Sequence, residues 1–146
     1  MNNFKNYFVD VVTQKYFQFS GRASRREFWY FILFSIIFSI IAGVLGTALG
    51  IEYIMQVDSI KFVEATGEMV SVKQDIPLNI LQLGLSLLLF FPSLAITIRR
   101  LHDIGRTGWW YLIVLIPLIG ALVLLAFFVK AGQLDDNRYG EFPVTE

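Results

Sequence analysis

The sequence predicts an all-α membrane protein with three transmembrane helices, formed by residues 28–51, 76–98 and 107–129. Of its 146 residues 55% are hydrophobic and only 16% are charged, where a soluble domain has about 25% charged residues. The three blocks contain no Asp, Glu, Lys, Arg or His. Because a helix of this length measures roughly 35 Å, each block is long enough for a hydrocarbon core of about 30 Å. We therefore expect a single integral membrane domain covering residues 1–146.

The segment before the first block predicts an N-terminal amphipathic helix that lies on the membrane surface. Its apolar side chains recur at helical spacing: Phe4, Phe8, Val11 and Val12. Ser20 and Gly21 interrupt this pattern. Ser24 and Glu27 then form the Ser-x-x-Glu pattern of a capping box, which places the start of the first spanning helix here.

The connector between the first two blocks contains a different periodicity. Residues 60–73 alternate between apolar and polar side chains on both sides of Gly67. This pattern predicts a β-hairpin, which we expect on the extracytoplasmic side.

The distribution of Lys and Arg predicts the orientation, because cytoplasmic flanks carry more of these residues. Residues 1–27 contain five of them and residues 99–106 contain three, whereas residues 52–75 contain two against five acids. Three crossings then place the N-terminus in the cytoplasm and the C-terminus outside. One alternative stays open: a hydrophobic block that does not cross fully would return the tail to the cytoplasmic side.

Composition also excludes several classes of site. The absence of cysteine excludes disulfides and thiolate metal ligands, and one histidine argues against a zinc site. The net charge of zero argues against a nucleic-acid partner. We therefore expect no metal, no cofactor and no nucleic acid.

Two short basic runs, each followed by aromatic residues, flank the spans at their predicted cytoplasmic ends. Their candidate functional residues are Arg22, Arg25, Arg26, Arg99, Arg100, His102, Asp103 and Arg106. The runs have three possible roles. They could form a site for anionic lipid headgroups, a structural lock in which Arg22, Arg25 or Arg26 pairs with Asp103 and Glu27, or a catalytic site. The catalytic interpretation is weak, because His102 and Asp103 are adjacent on a helix and no activated nucleophile is evident.

Four blocks of the chain resemble the signature of a known family. They read GRASRREFW at 21–29, RRLHDIGRTGWW at 99–110, IPLIG at 116–120 and DNRYG at 136–140. Together they are similar to the domain of unknown function 805 family of small bacterial inner-membrane proteins. The resemblance implies a multi-pass protein of the bacterial plasma membrane and assigns no activity. The connector before residue 76 departs from the family pattern, because it is longer and more strand-like than the connector that is usual in this family.

These observations favour a non-enzymatic membrane component. We expect its arginine-rich turns to bind anionic lipid headgroups or a partner membrane protein, with a homo-oligomer as a further possibility. The alternative is a small transporter or transporter subunit that uses a groove of small residues around Gly43 and Gly46 and a kink at Pro92.

Overall fold

The computed structural model describes residues 3–63 and 67–143. The chain forms two compact units, Met1–Phe38 with Leu87–Glu146, and Ser39–Ser86. Two long helices, α2 at Arg25–Ala48 and α3 at Ile80–Asp103, contribute residues to both units. Within the described residues, these are the two helices that are long and apolar enough to cross a membrane.

The prediction of three transmembrane helices is wrong, because the third block is broken. It forms a 3₁₀ helix at Gly108–Leu115 and α4 at Ile119–Val129. Each arm is about 16 Å long, roughly half of a hydrocarbon core. Pro117 has no N–H to continue a helix, and Leu118 has a φ of 61°. The two arms then contact each other where Gly120 lies against the carbonyl of Ile113.

The core of the first unit forms between the N-terminal segment and the two long helices. The segment contains a π-helical turn at Lys5–Val9, followed by α1 at Asp10–Thr13. The buried residues of this core are Val11, Ala23, Phe28, Phe31 and Ile96. The ring of Phe8 also stacks on Phe31 with the centroids 5.6 Å apart. The predicted N-terminal helix therefore packs along α2.

The start of α2 follows the predicted cap. The Ser24 hydroxyl accepts a hydrogen bond from the backbone N–H of Glu27 at 3.2 Å. This bond satisfies one of the N–H groups that a helix leaves unpaired at its beginning. The capping role of Ser24 is therefore confirmed.

The second unit contains a hairpin that is longer than predicted, and so the all-α class is wrong. Strands β1, Glu52–Val63, and β2, Glu68–Asn79, pair in antiparallel register from Glu52–Asn79 to Val63–Glu68. The predicted turn includes residues 64–66, which lie outside the described residues. Residues 76–79 belong to β2 and not to the second predicted span. Pro77 is tolerated in β2 because each strand of a two-stranded ribbon has one edge that forms no hydrogen bonds to a neighbouring strand.

Asn79 explains where the strand ends and α3 begins. Its Oδ1 accepts the backbone N–H of Gln82 at 3.0 Å, as a helix N-cap does. Its Nδ2 donates to the carbonyl of Gly43 at 2.9 Å. A Cβ at Gly46 would clash with the same side chain. The predicted groove of small residues therefore holds the side chain of Asn79.

Candidate functional site

The candidate site lies in the first unit, where α2 begins and α3 ends. The backbone N–H of Ala23 donates to the carbonyl of Arg99 at 3.1 Å and joins the two ends. Five charged side chains are buried there: Arg22, Glu27, Arg99, Arg100 and Asp103. We call this set the arginine–carboxylate cluster.

The carboxylate of Asp103 binds two guanidinium groups. Arg22 donates through Nε to Oδ1 at 2.9 Å, and Arg100 donates through Nη1 to Oδ2. Both arginines are buried, so their charges lie in a medium of low dielectric constant where such charge-assisted bonds are strong. Asp103 thereby joins the segment before α2 to the last turn of α3.

The end of α4 and the C-terminal tail, which follows it from Lys130, provide further acceptors for the same two arginines. Arg22 donates to the carbonyl of Asp135 at 2.9 Å and to that of Gln133. Arg100 donates to the carbonyl of Phe128 at 3.2 Å and to that of Lys130. The tail therefore returns to the end where α2 begins. This arrangement agrees with the alternative that the sequence left open, in which the third hydrophobic block does not cross fully.

The carboxylate of Glu27 forms a second branch of the arginine–carboxylate cluster. Its Oε1 accepts hydrogen bonds from Nη1 of Arg99 at 2.8 Å and from Nζ of Lys15 at 3.0 Å. Nε and Nη2 of Arg99 are also buried, but no hydrogen-bond partner for them exists among residues 3–63 and 67–143.

His102 contacts Gly21 and Tyr139 and not the carboxylate of its neighbour Asp103. Its Nδ1 lies 3.2 Å from the carbonyl of Gly21, and its ring stacks on Tyr139 with the centroids 3.9 Å apart. The Asp103 carboxylate binds Arg22 and Arg100 instead. In the part of the chain that the structure describes, no three His, Asp or Glu side chains are grouped so as to hold a metal ion.

The remaining predicted arginines, Arg25, Arg26 and Arg106, are exposed. The guanidinium of Arg106 lies over the ring of Trp110 at 4.9 Å and near the ring of Phe127 at 5.7 Å. Trp109 beside this pair is 79% exposed. The eight predicted residues thus divide into a buried group, these exposed arginines, and His102, which is partly buried.

Sequence reasoning missed the groups that complete the arginine–carboxylate cluster. The sequence shows Lys15 only as one of the basic residues that precede the first block. The acceptors from residues 128–140 are mainly backbone carbonyls, and these have no pattern in the sequence. Gly132 was not singled out, although a Cβ at this position would clash with the carboxylate of Asp103. The one available signal was the DNRYG block, which contains Asn137 and Tyr139, both contacts of His102.

Comparison with known proteins agrees with the resemblance noted from the sequence. Residues 16–141 match the family model described as protein of unknown function (DUF805). The chain is 38% identical over 135 residues to inner membrane protein YhaH of Escherichia coli (strain K12), covering 92% of this chain and 94% of the relative. It is also 38% identical over 132 residues to inner membrane protein YhaI of the same organism, covering 90% of this chain and 91% of the relative. The comparison with solved structures found no match. The chain therefore belongs to the DUF805 family and is an inner-membrane protein.

Proposed function

We propose that this protein is a non-enzymatic membrane component that binds anionic phospholipid headgroups through its exposed arginines. Arg25, Arg26 and Arg106 are exposed in the same unit as the arginine–carboxylate cluster. A guanidinium near an anionic leaflet gains about 1 kcal/mol from surface attraction. The buried cluster gives these arginines a rigid base, because it joins α2, α3 and the tail through charge-assisted bonds.

The observation that carries the proposal is the position of Arg106 over Trp110 and Phe127. Tryptophan rings are enriched at the membrane–water interface. A guanidinium held over such a ring lies at headgroup depth, and the cation–π contact limits its motion. The ring of Trp109 is also exposed, which supports a position of this region at the depth of the lipid headgroups.

A membrane topology accompanies this proposal. We infer that α2 and α3 are the two crossings and that both ends of the chain lie in the cytoplasm, where the positive-inside rule places basic flanks. The connector at residues 52–79 then lies outside. Residues 108–129 form a re-entrant hairpin in the cytoplasmic leaflet, since both arms are short and the tail returns to Arg22 and Arg100.

The turn of this hairpin is suited to a lipid environment, where each unpaired backbone N–H is costly. Ile116 donates to the carbonyl of Ile113 at 3.0 Å, and Gly120 donates to the carbonyl of Ile116 at 2.9 Å. Ile119 donates to the carbonyl of Pro117 at 2.7 Å. The exposed side chains at the tip are apolar: Leu115, Ile116, Leu118 and Ile119.

The test compares two variants that each lose two exposed positive charges. Arg26→Gln with Arg106→Gln removes two of the proposed headgroup contacts, and Lys61→Gln with Lys73→Gln removes two lysines of the connector hairpin. Each protein is placed in nanodiscs of mixed phosphatidylglycerol and phosphatidylcholine, and the retained lipids are counted by native mass spectrometry. We expect the arginine variant to lose phosphatidylglycerol affinity by about fivefold to thirtyfold and the lysine variant to match the wild type.

Equal phosphatidylglycerol retention in all three proteins would contradict headgroup binding. A second polypeptide that co-purifies with the wild type and is lost from the arginine variant would instead identify the surface as a protein interface.

A further inference from the structure

Arg99 differs from the other buried arginines of the arginine–carboxylate cluster. The donors of Arg22 and Arg100 are directed at carbonyls of the tail and at Asp103. Within residues 3–63 and 67–143, Arg99 donates only through Nη1, to Glu27, and its side chain is 1% exposed. Its Nε and Nη2 have no partner within the described ranges. Buried polar groups of this kind are rare in folded proteins and call for an explanation.

The two donors without a partner form one edge of the guanidinium fork. Nε–H and Nη2–H point in parallel, and this spacing matches two oxygens of a phosphate or a carboxylate. The local charge also favours an anion, since Lys15 and Arg99 share the single carboxylate of Glu27. One positive charge is therefore in excess in this branch of the cluster.

The position of this edge along the helices favours a phosphoryl group. The Glu27–Arg99 pair lies about one helical turn from Phe31 and Ile96, two buried residues of the core, towards the beginning of α2 and the end of α3. Lys15, which binds the same Glu27 carboxylate, has a side chain that is about one-third exposed, so the buried pair lies within one side chain of the surface. Groups at the end of a spanning helix lie at the level of lipid phosphates.

We propose that Nε and Nη2 of Arg99 bind one phosphoryl group through two of its oxygens. The group belongs either to one phospholipid or to free phosphate, which share this chemistry. The lipid source rests on the proposed headgroup function, but the site itself is separate from the exposed arginines. It holds a single phosphate in fixed geometry, whereas the exposed arginines attract the anionic surface without fixed stoichiometry.

The experiment measures binding stoichiometry and affinity in delipidated protein. Inorganic phosphate is titrated into the protein in detergent, and phosphatidylglycerol is offered in nanodiscs with native mass spectrometry as the readout. We expect one tightly bound phosphate or one tightly bound lipid per wild-type chain. Arg99→Lys keeps the charge and loses the fork, so it weakens this binding by about tenfold or more, the effect of losing one charge-assisted hydrogen bond.

Glu27→Gln is the second variant, and it separates anion binding from a structural role. It removes the counter-charge of Arg99 and Lys15, so the phosphoryl site should bind several-fold more tightly. A merely structural pair predicts equal or weaker binding in this variant. Lys61→Gln, in the connector hairpin, is the control and should bind as the wild type does.

The two sources give different results. Binding of inorganic phosphate without a retained lipid indicates a soluble phosphate, whereas a single lipid displaced by phosphate indicates a headgroup. The absence of both in the wild type overturns the proposal, even if Arg99→Lys does not fold. The Arg26→Gln, Arg106→Gln variant distinguishes the two proposals, because it lowers total anionic lipid and keeps the single phosphate.

Discussion

Arg22 donates through Nε to Oδ1 of Asp103 at 2.9 Å, although the two residues are 81 positions apart in the chain. Both side chains are buried, and the same carboxylate also binds Arg100. A carboxylate between two guanidinium groups stabilises an arrangement in which the segment before α2, the last turn of α3 and the tail meet. The stability of the first unit should therefore depend on this one side chain.

Replacement of Asp103 by Asn should destabilise the protein by about 3 to 5 kcal/mol, because it leaves two buried arginines without their counter-charge. Thermal unfolding in a mild detergent measures the loss. Asp135→Asn is the matched control, since the Asp135 side chain is exposed and Arg22 binds only its backbone carbonyl. Equal unfolding temperatures for the two variants would contradict the role given to Asp103.

Replacement of Gly132 by Ala should lower the stability by about 1 to 3 kcal/mol, the typical cost of overpacking. A Cβ at this position would meet the carboxylate of Asp103, which its two arginines hold in place. Gly84→Ala serves as the control, because a Cβ at Gly84 meets nothing within 4 Å. If both alanine variants unfold at the wild-type temperature, the tail does not pack against Asp103 as described.

Two of the three apolar blocks were correctly predicted to contain long helices, and the third shows the limit of that reasoning. Hydropathy measures whether a segment prefers lipid and does not measure whether its backbone continues in one direction. Pro117 interrupts the helical hydrogen bonds of the third block, but the positive φ of Leu118 and the contact of Gly120 with Ile113 come from tertiary structure. These features turn a predicted span into two short arms.

The sequence named candidate residues for the site but did not predict which of them are buried and which are exposed. The structural-lock interpretation allowed Arg22, Arg25 or Arg26 to pair with Asp103 and Glu27, and the structure forms the pair of Arg22 with Asp103. The division into buried and exposed arginines depends on carbonyls of residues 128–140. Backbone acceptors have no sequence signature, so this division required the structure.

The boundary between β2 and α3 yields a prediction about Asn79, which both caps α3 and donates to Gly43. Asn79→Ala removes both bonds and should destabilise the protein by about 1 to 2 kcal/mol, most of it from the lost cap. Asn79→Asp keeps an oxygen that can cap the helix and loses the donor. Thermal unfolding should therefore rank the aspartate variant between the wild type and the alanine variant, and the reverse order would contradict the capping role.

The return of the tail can be tested by the side of the membrane on which it is labelled. The chain has no cysteine, so single-cysteine variants are free of background. Asp135→Cys reports on the tail and Lys61→Cys reports on the connector, and both positions are exposed. With two crossings, an impermeant maleimide applied to cells with a permeabilised outer membrane should label residue 61 and leave residue 135 unlabelled until the inner membrane is lysed. A third crossing would expose residue 135 before lysis, and Arg22 and Arg100 would then lie across the membrane from the carbonyls that they bind. Labelling of both residue 61 and residue 135 in intact inner membranes would therefore refute both the re-entrant hairpin and the arginine–carboxylate cluster as described.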